Sequence, residues 1–144
     1  EGIQLELESS PVRDRIHHLD YLERPDLAAL YRNADALLFP SWLEGFGLPL
    51  LESMACGTPV ITSGISAMPE IGGPAAVYVD PASAHGIASA VAALLDDSHH
   101  RERLITLGRE RATRFCWERT ASATAQVLRQ AAGLQATADD EFRA

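Results

Sequence analysis

Two acidic residues flank a glycine-containing turn near the middle of the sequence. Glu44 and Glu52 lie on either side of residues 45–49, whose composition predicts a turn that opens into a helix. Glycines let backbone N–H groups approach an anion at a helix start, where the helix dipole also favours negative charge. Carboxylates accept hydrogen bonds from sugar hydroxyls, as the acidic residue of a dinucleotide-binding fold does from ribose. An anion-binding turn beside two hydroxyl acceptors predicts a nucleotide-sugar site.

Four segments are predicted to form the strands that would position this turn. A continuous apolar run indicates a strand buried on both faces, as in a parallel sheet. The clearest run, residues 36–39, ends at Pro40 and Ser41, directly before the acidic turn. The remaining predicted strands are residues 16–19, 59–62 and 75–79.

Helices are predicted between and after these strands. We expect Asp26 to cap a helix that follows Pro25. Pro49 should lie in the first turn of the next helix, with Gly57 at its end. Ser83 should cap a later helix. Further helices are predicted for the first twelve residues, for about 99–115 and from near 117.

The alternation of strand and helix predicts the fold class. It indicates an α/β, Rossmann-like parallel sheet with flanking helices and a helical C-terminal extension. Ligands of such sheets bind beyond the carboxyl ends of the strands, where the turn at Glu44 is expected. The apolar stripes of the last three helices, which include Leu104 and Leu128, are expected to be core. The arginines between residues 101 and 119 are expected to form a solvated face.

Composition narrows the class of protein. The chain has 144 residues, 47% of them hydrophobic, which is enough for one domain with a core. A net charge of −8 argues against a nucleic-acid partner. No apolar stretch approaches the ~18 residues of a membrane span, and no signal peptide is visible. Two well-separated cysteines agree with a cytoplasmic location.

Several segments of the chain resemble one known family. Residues 39–41 and 44–61 look like the retaining glycosyltransferases of the GT-B fold, and more narrowly family 4, the group 1 glycosyltransferases. Glu44 and Glu52 correspond to the E-x7-E signature of that family. Later segments, at residues 69–70, 79–81 and 115–121, also match, so the resemblance runs from about Arg13 to Leu128.

The resemblance implies residue roles and a domain assignment. Residues 1–132 would be a nucleotide-sugar-binding domain, the partial C-terminal domain of a GT-B enzyme, and 133–144 a disordered tail. Glu44 would act on the donor sugar as the catalytic carboxylate, and Glu52 would bind the ribose hydroxyls. No metal and no cofactor are expected, because helix dipoles and cations neutralise the leaving diphosphate. The remaining donor-binding residues would be Leu22, Ser41, Gly45, Phe46, Gly47 and Leu48.

The resemblance also implies missing parts. The acceptor domain and the first two strands of the donor domain, which carry an Arg and Lys for the diphosphate, have no counterpart here. Their absence would leave apolar sheet edges exposed. We therefore expect either a longer polypeptide or self-association of this chain. Two alternatives to a transferase stay open: a GT-B-fold nucleotide-sugar epimerase, and a non-catalytic module that binds nucleotide or a partner protein.

Overall fold

The structure, a computed structural model, describes residues 2–134. The predicted tail therefore lies almost entirely outside the described residues. Short 3-10 helices at Arg13–Arg15 and Gly73–Ala75 join some of the main elements. In chain order those elements are α1 (Gly2–Ser9), α2 (Arg24–Asn33), β1 (Leu37–Phe39), α3 (Leu48–Cys56), β2 (Val60–Ser63), α4 (Met68–Gly72), β3 (Ala76–Val79), α5 (Ala84–Asp96), α6 (Ser98–Ala112) and α7 (Trp117–Ala131).

Three parallel strands in the order β1-β2-β3 form the sheet. Leu38 of β1 pairs with Ile61 of β2, which pairs with Val77 of β3. The central strand β2 is buried along its whole length. Parallel strands need crossover connections, and α3 and α4 supply them. The Rossmann-like α/β prediction is confirmed.

The core lies on both faces of β2. Because successive side chains of a strand point to opposite faces, Val60 and Ile61 enter different clusters. Val60 packs with Leu50 and Met54 of α3 and with residues of α4. Ile61 packs with Leu94 of α5 and Leu104 of α6. The sheet is therefore held between two helical layers, and the loops at the strand ends stay accessible.

Local sequence signals place the helix ends. Gly57 ends α3 in the left-handed conformation, with φ 83°, and Ser83 caps α5 by accepting a hydrogen bond from the N–H of Gly86 at 3.0 Å. Asp97 caps α6 in the same way, through the N–H of His100 at 2.9 Å. The predicted roles of Gly57 and Ser83 are confirmed, and so is the helix at the start of the chain.

Two predicted features of the first strands are wrong. Residues 16–19 form no strand, and β1 is not buried on both faces because Leu38 is 44% exposed. Residues 2–134 provide no strand on the side of β1 away from β2, so residues 16–19 have no strand there to pair with. The Asp26 cap is also wrong, since α2 already begins at Arg24 and its N-cap, Glu23, makes no side-chain cap bond.

The last helix also differs from the prediction. None of the residues of α7 is buried, and Trp117 and Leu128 are 75% and 65% exposed. Its apolar stripe is thus not core in the described structure, whereas Leu104 of α6 is, at 4% exposure. No helix within residues 2–134 has the length and apolar character to cross a membrane.

Candidate functional site

The acidic turn lies where parallel sheets place their ligand sites. Ser41 and Glu44 belong to the loop between β1 and α3, beyond the carboxyl end of β1. Ser63 ends the neighbouring strand β2, and Ser66 follows it. Since both strands run in the same direction, these two loops meet at one edge of the sheet.

Three serines, which we call the serine cluster (Ser41, Ser63 and Ser66), hold Glu44. The hydroxyl of Ser41 donates to Oε1 of Glu44 at 3.1 Å. The hydroxyl of Ser63 donates to the carbonyl of Ser41 at 2.5 Å. Ser66 Oγ accepts from the N–H of Glu44 at 3.1 Å and donates to its carbonyl at 2.9 Å. The half-buried Glu44 is thereby fixed through its carboxylate and its backbone.

The turn after Glu44 contains two glycines in unlike surroundings. Gly47 is buried with φ 100°, and a Cβ there would lie 2.7 Å from Cε of Met68. Gly45 is exposed, and a Cβ there would meet nothing within 4 Å. Gly47 is thus required by the fold, whereas the space beside Gly45 is open.

The start of α3 provides fewer N–H donors than a typical helix. Pro49 has no N–H, and the N–H of Leu50 donates to the carbonyl of Gly47 at 3.0 Å. The N–H of Leu48 remains available to an anion at this helix start. The predicted anion site therefore depends on Leu48 and on the amides of the turn before it.

An aromatic contact links the turn to the segment that follows α6. The exposed Phe46 meets the edge of Phe115 with ring centroids 5.9 Å apart. Arg111 of α6 lies over the Phe115 ring, 5.1 Å from its centroid, and donates from Nε to the carbonyl of Ile71 at 3.0 Å. A second nitrogen of Arg111 donates to the carbonyl of Glu70. Arg111 is therefore not part of a solvated face, contrary to the prediction for the arginines of this region.

Glu52 has a partner on a different element. It is the fifth residue of α3 and exposed, and its Oε2 accepts a hydrogen bond from the Tyr31 hydroxyl of α2 at 3.4 Å. Burial raises the pKa of Tyr31, and so do the charge of Glu52 and this hydrogen bond. The carbonyl of Tyr31 accepts from the hydroxyl of Thr58, which fixes α2 against the end of α3. The neutral Tyr31 hydroxyl thus orients one carboxylate oxygen of Glu52.

The structure gathers some of the predicted site residues and separates others. Ser41, Glu44 and the turn 45–48 are continuous, and Glu52 lies on the helix that this turn begins. Leu22 lies in the irregular segment before α2, half-buried. Sequence reasoning missed Ser63, Ser66, Tyr31 and Phe115. For the two serines a signal existed, since Ser63 ends β2 and Ser66 follows it, as Ser41 follows β1.

Two further features complete the surroundings of the turn. A shallow hollow of about 400 Å³ lies beside the serine cluster, with Trp42 on the first loop and Ile65 on the second among its walls. Within residues 2–134, no three His, Cys, Asp or Glu side chains are grouped closely enough to hold a metal ion.

This fold and the placement of the turn define a class, the GT-B-type glycosyltransferase domains. The sequence matches the family described as "Glycosyl transferases group 1" over residues 1–111. Among solved structures, sucrose-phosphate synthase from Thermosynechococcus elongatus superposes with a TM-score of 0.81 at 32% identity, covering 91% of this chain and 34% of that one. The chain therefore belongs to the group 1 glycosyl transferases.

Curated relatives are glycosyltransferases of several kinds. The O-antigen chain mannosyltransferase B of Escherichia coli is 38% identical over 109 residues, which cover 76% of this chain and 29% of the relative. A glycogen synthase of Mycobacterium tuberculosis is 43% identical over 115 residues, covering 78% of this chain and 27% of the relative. The chain thus spans less than a third of the length of these two relatives.

Proposed function

We propose that this chain binds the nucleotide-sugar donor of a retaining glycosyltransferase. The observation that supports the proposal is the fixed Glu44 carboxylate, which the serine cluster holds beside an open glycine turn at the strand ends. A carboxylate held in this way can accept donor-sugar hydroxyls and stabilise positive charge that grows at the anomeric carbon. Membership of the group 1 family supports sugar transfer as the reaction.

The other residues take complementary roles. Glu52, oriented by Tyr31, accepts the ribose hydroxyls, and the backbone at Leu22 meets the base. The amides of Gly45, Phe46, Gly47 and Leu48 hold sugar hydroxyls and phosphate, with Ser41 at the reacting side. The leaving diphosphate and the acceptor hydroxyl share one face of the sugar, so the configuration is retained. The reaction uses no metal, because helix N-termini and cations stabilise the diphosphate.

The acceptor binds to a part of the enzyme outside this chain. The two curated relatives are more than three times as long as the segment they share with it. A mannose-carrying donor is the first to test, because one of the two relatives is a mannosyltransferase.

Substitution of the two acids in the full-length protein tests the roles. With GDP-mannose, UDP-glucose and ADP-glucose as donors, Glu44→Ala should lower kcat about 10²–10³-fold and leave nucleotide affinity near wild type. Glu52→Ala should instead weaken nucleotide binding in calorimetric titration. Glu118→Ala, at an exposed acid on α7, is the control.

The outcomes separate the alternatives. Wild-type rates in both variants would show that the roles are wrongly assigned. Nucleotide binding without turnover in the wild-type protein, whichever donor is offered, would favour a non-catalytic module. Inverted configuration in the product, read by NMR at the anomeric carbon, would contradict the retaining mechanism.

A further inference from the structure

Ser66 combines an unfavourable backbone conformation with an unusual pair of hydrogen bonds. Within residues 2–134 it is the one non-glycine residue with φ in the left-handed region, at 60°. That conformation is strained for a residue with a Cβ and persists where the surroundings hold it in place. A glycine would adopt it freely, but a glycine has no hydroxyl.

The hydroxyl of Ser66 engages both backbone groups of one residue across the gap between two loops. It accepts from the N–H of Glu44 and donates to the carbonyl of Glu44. The two residues are 22 positions apart and lie just beyond adjacent strands. The same two loops carry Trp42 and Ile65, which face the hollow beside the serine cluster. Ser66 therefore sets the distance between the loops as well as the backbone position of Glu44.

We propose that Ser66 is a positioning residue that acts on sugar transfer through Glu44, an inference that depends on the proposed function. Ser41 orients the carboxylate of Glu44, but it can do so only while the backbone of Glu44 stays in place. Ser66 is exposed, so water competes with its hydrogen bonds and their net contribution to global stability is small. A displacement of the carboxylate by about 1 Å can nevertheless slow the chemical step about 10²-fold.

The test uses Ser66→Gly and Ser66→Ala in the full-length protein. Both variants lack the hydroxyl, and Ser66→Gly also relieves the backbone strain. We expect both to lose at least about tenfold in kcat with GDP-mannose, UDP-glucose and ADP-glucose, because a misplaced group slows chemistry more than binding. Affinity for GDP, UDP and ADP should stay within about twofold of wild type, and the Tm of Ser66→Gly should not fall. Ser122→Ala, at an exposed serine on α7, is the control.

A double variant distinguishes action through Glu44 from an independent effect. If Ser66 acts through Glu44, the pair Glu44→Ala and Ser66→Gly should have the kcat of Glu44→Ala alone. Amide hydrogen exchange adds a readout without substrate, since the Glu44 N–H should exchange faster in Ser66→Ala than in wild type.

Each remaining outcome is decisive. Wild-type kcat in Ser66→Gly, or unchanged exchange at Glu44, would overturn the role of Ser66 even if Glu44→Ala is inactive. Equal losses of kcat, nucleotide affinity and Tm would show a merely structural role and overturn it as well. Wild-type activity of Glu44→Ala would instead refute the proposed function of Glu44, on which the inference depends.

Discussion

Gly45 and Gly47 are two positions apart in one turn, yet different constraints act on them. The backbone of Gly47 has φ 100°, and a Cβ there would meet the end of the Met68 side chain, so the fold itself disfavours a larger residue. Gly45 meets no such neighbour. Any restriction on side-chain size at Gly45 must therefore come from a ligand that approaches the turn.

Alanine substitutions at the two glycines separate fold from binding. Gly47→Ala should lower the free energy of unfolding by about 1–3 kcal/mol, because the new Cβ is strained and crowded. Gly45→Ala should leave it unchanged or raise it by up to about 1 kcal/mol, yet weaken nucleotide-sugar binding. Urea unfolding and titration with the donor measure the two effects. Full donor affinity in Gly45→Ala would contradict close approach of the ligand to this glycine.

At the residue scale, the sequence predicted the features that depend on local chemistry. The carboxylates and glycines are recognisable because they adjoin one predicted strand end. Ser66 and Tyr31 were missed, because their contacts with Glu44 and Glu52 span 22 and 21 positions. Such contacts depend on which strands and helices become neighbours, and one sequence does not show this at single-residue precision.

Among the elements, α2 and α3 are joined through Tyr31. Its hydroxyl reaches Glu52 on α3, and its carbonyl accepts from Thr58 beyond the end of α3. Burial and the nearby Glu52 charge raise the pKa of Tyr31 above its ordinary value of 10.0. The folded state therefore favours the neutral phenol, and ionisation would place a second negative charge beside Glu52.

This pKa shift predicts loss of stability in alkali. A raised pKa in the folded state contributes stability that is complete below the unfolded value of about 10 and is lost as the pH rises above it. Tyr31→Phe should therefore lose less stability than wild type as the pH rises above about 10. Urea unfolding of the 144-residue chain across this range measures the difference, with Tyr21→Phe, at a tyrosine 84% exposed, as control. Identical alkaline profiles for wild type and Tyr31→Phe would contradict the prediction.

Helices and strands were predicted well where the nearby sequence marks them clearly. Helix α3 and strand β2 were predicted well, because Pro49 and Gly57 mark the helix and four consecutive residues form a fully buried strand. Residues 16–19 were wrongly predicted as a strand, because a short segment that suits a sheet forms a strand only beside a partner strand, and residues 2–134 offer none on the outer side of β1. The contact of Phe46 with Phe115 was likewise not predicted, since it depends on where the fold places the segment between α6 and α7.

For the whole molecule, several apolar side chains of the described residues are exposed, and two of the surfaces that carry them were predicted to be buried. One is the outer edge of β1, where Leu38 is 44% exposed, and the other is the stripe of α7 around Leu128. The sequence pattern predicted that both would be buried, because it shows that a segment is apolar but not which neighbour covers it. Self-association of the chain through such an edge stays a prediction.

Alanine substitutions at Leu104 and Leu128 test whether α7 is packed into the core of this chain. Leu104, 4% exposed, packs with Ile61 and Leu94, so Leu104→Ala in the 144-residue chain should cost about 2–5 kcal/mol of unfolding free energy. Leu128 is 65% exposed, and Leu128→Ala should change the free energy of unfolding by no more than about 0.5 kcal/mol. Urea unfolding of both variants tests this at one protein concentration. A cost above about 1.5 kcal/mol for Leu128→Ala exceeds what an exposed site allows and would mean that α7 is covered in solution.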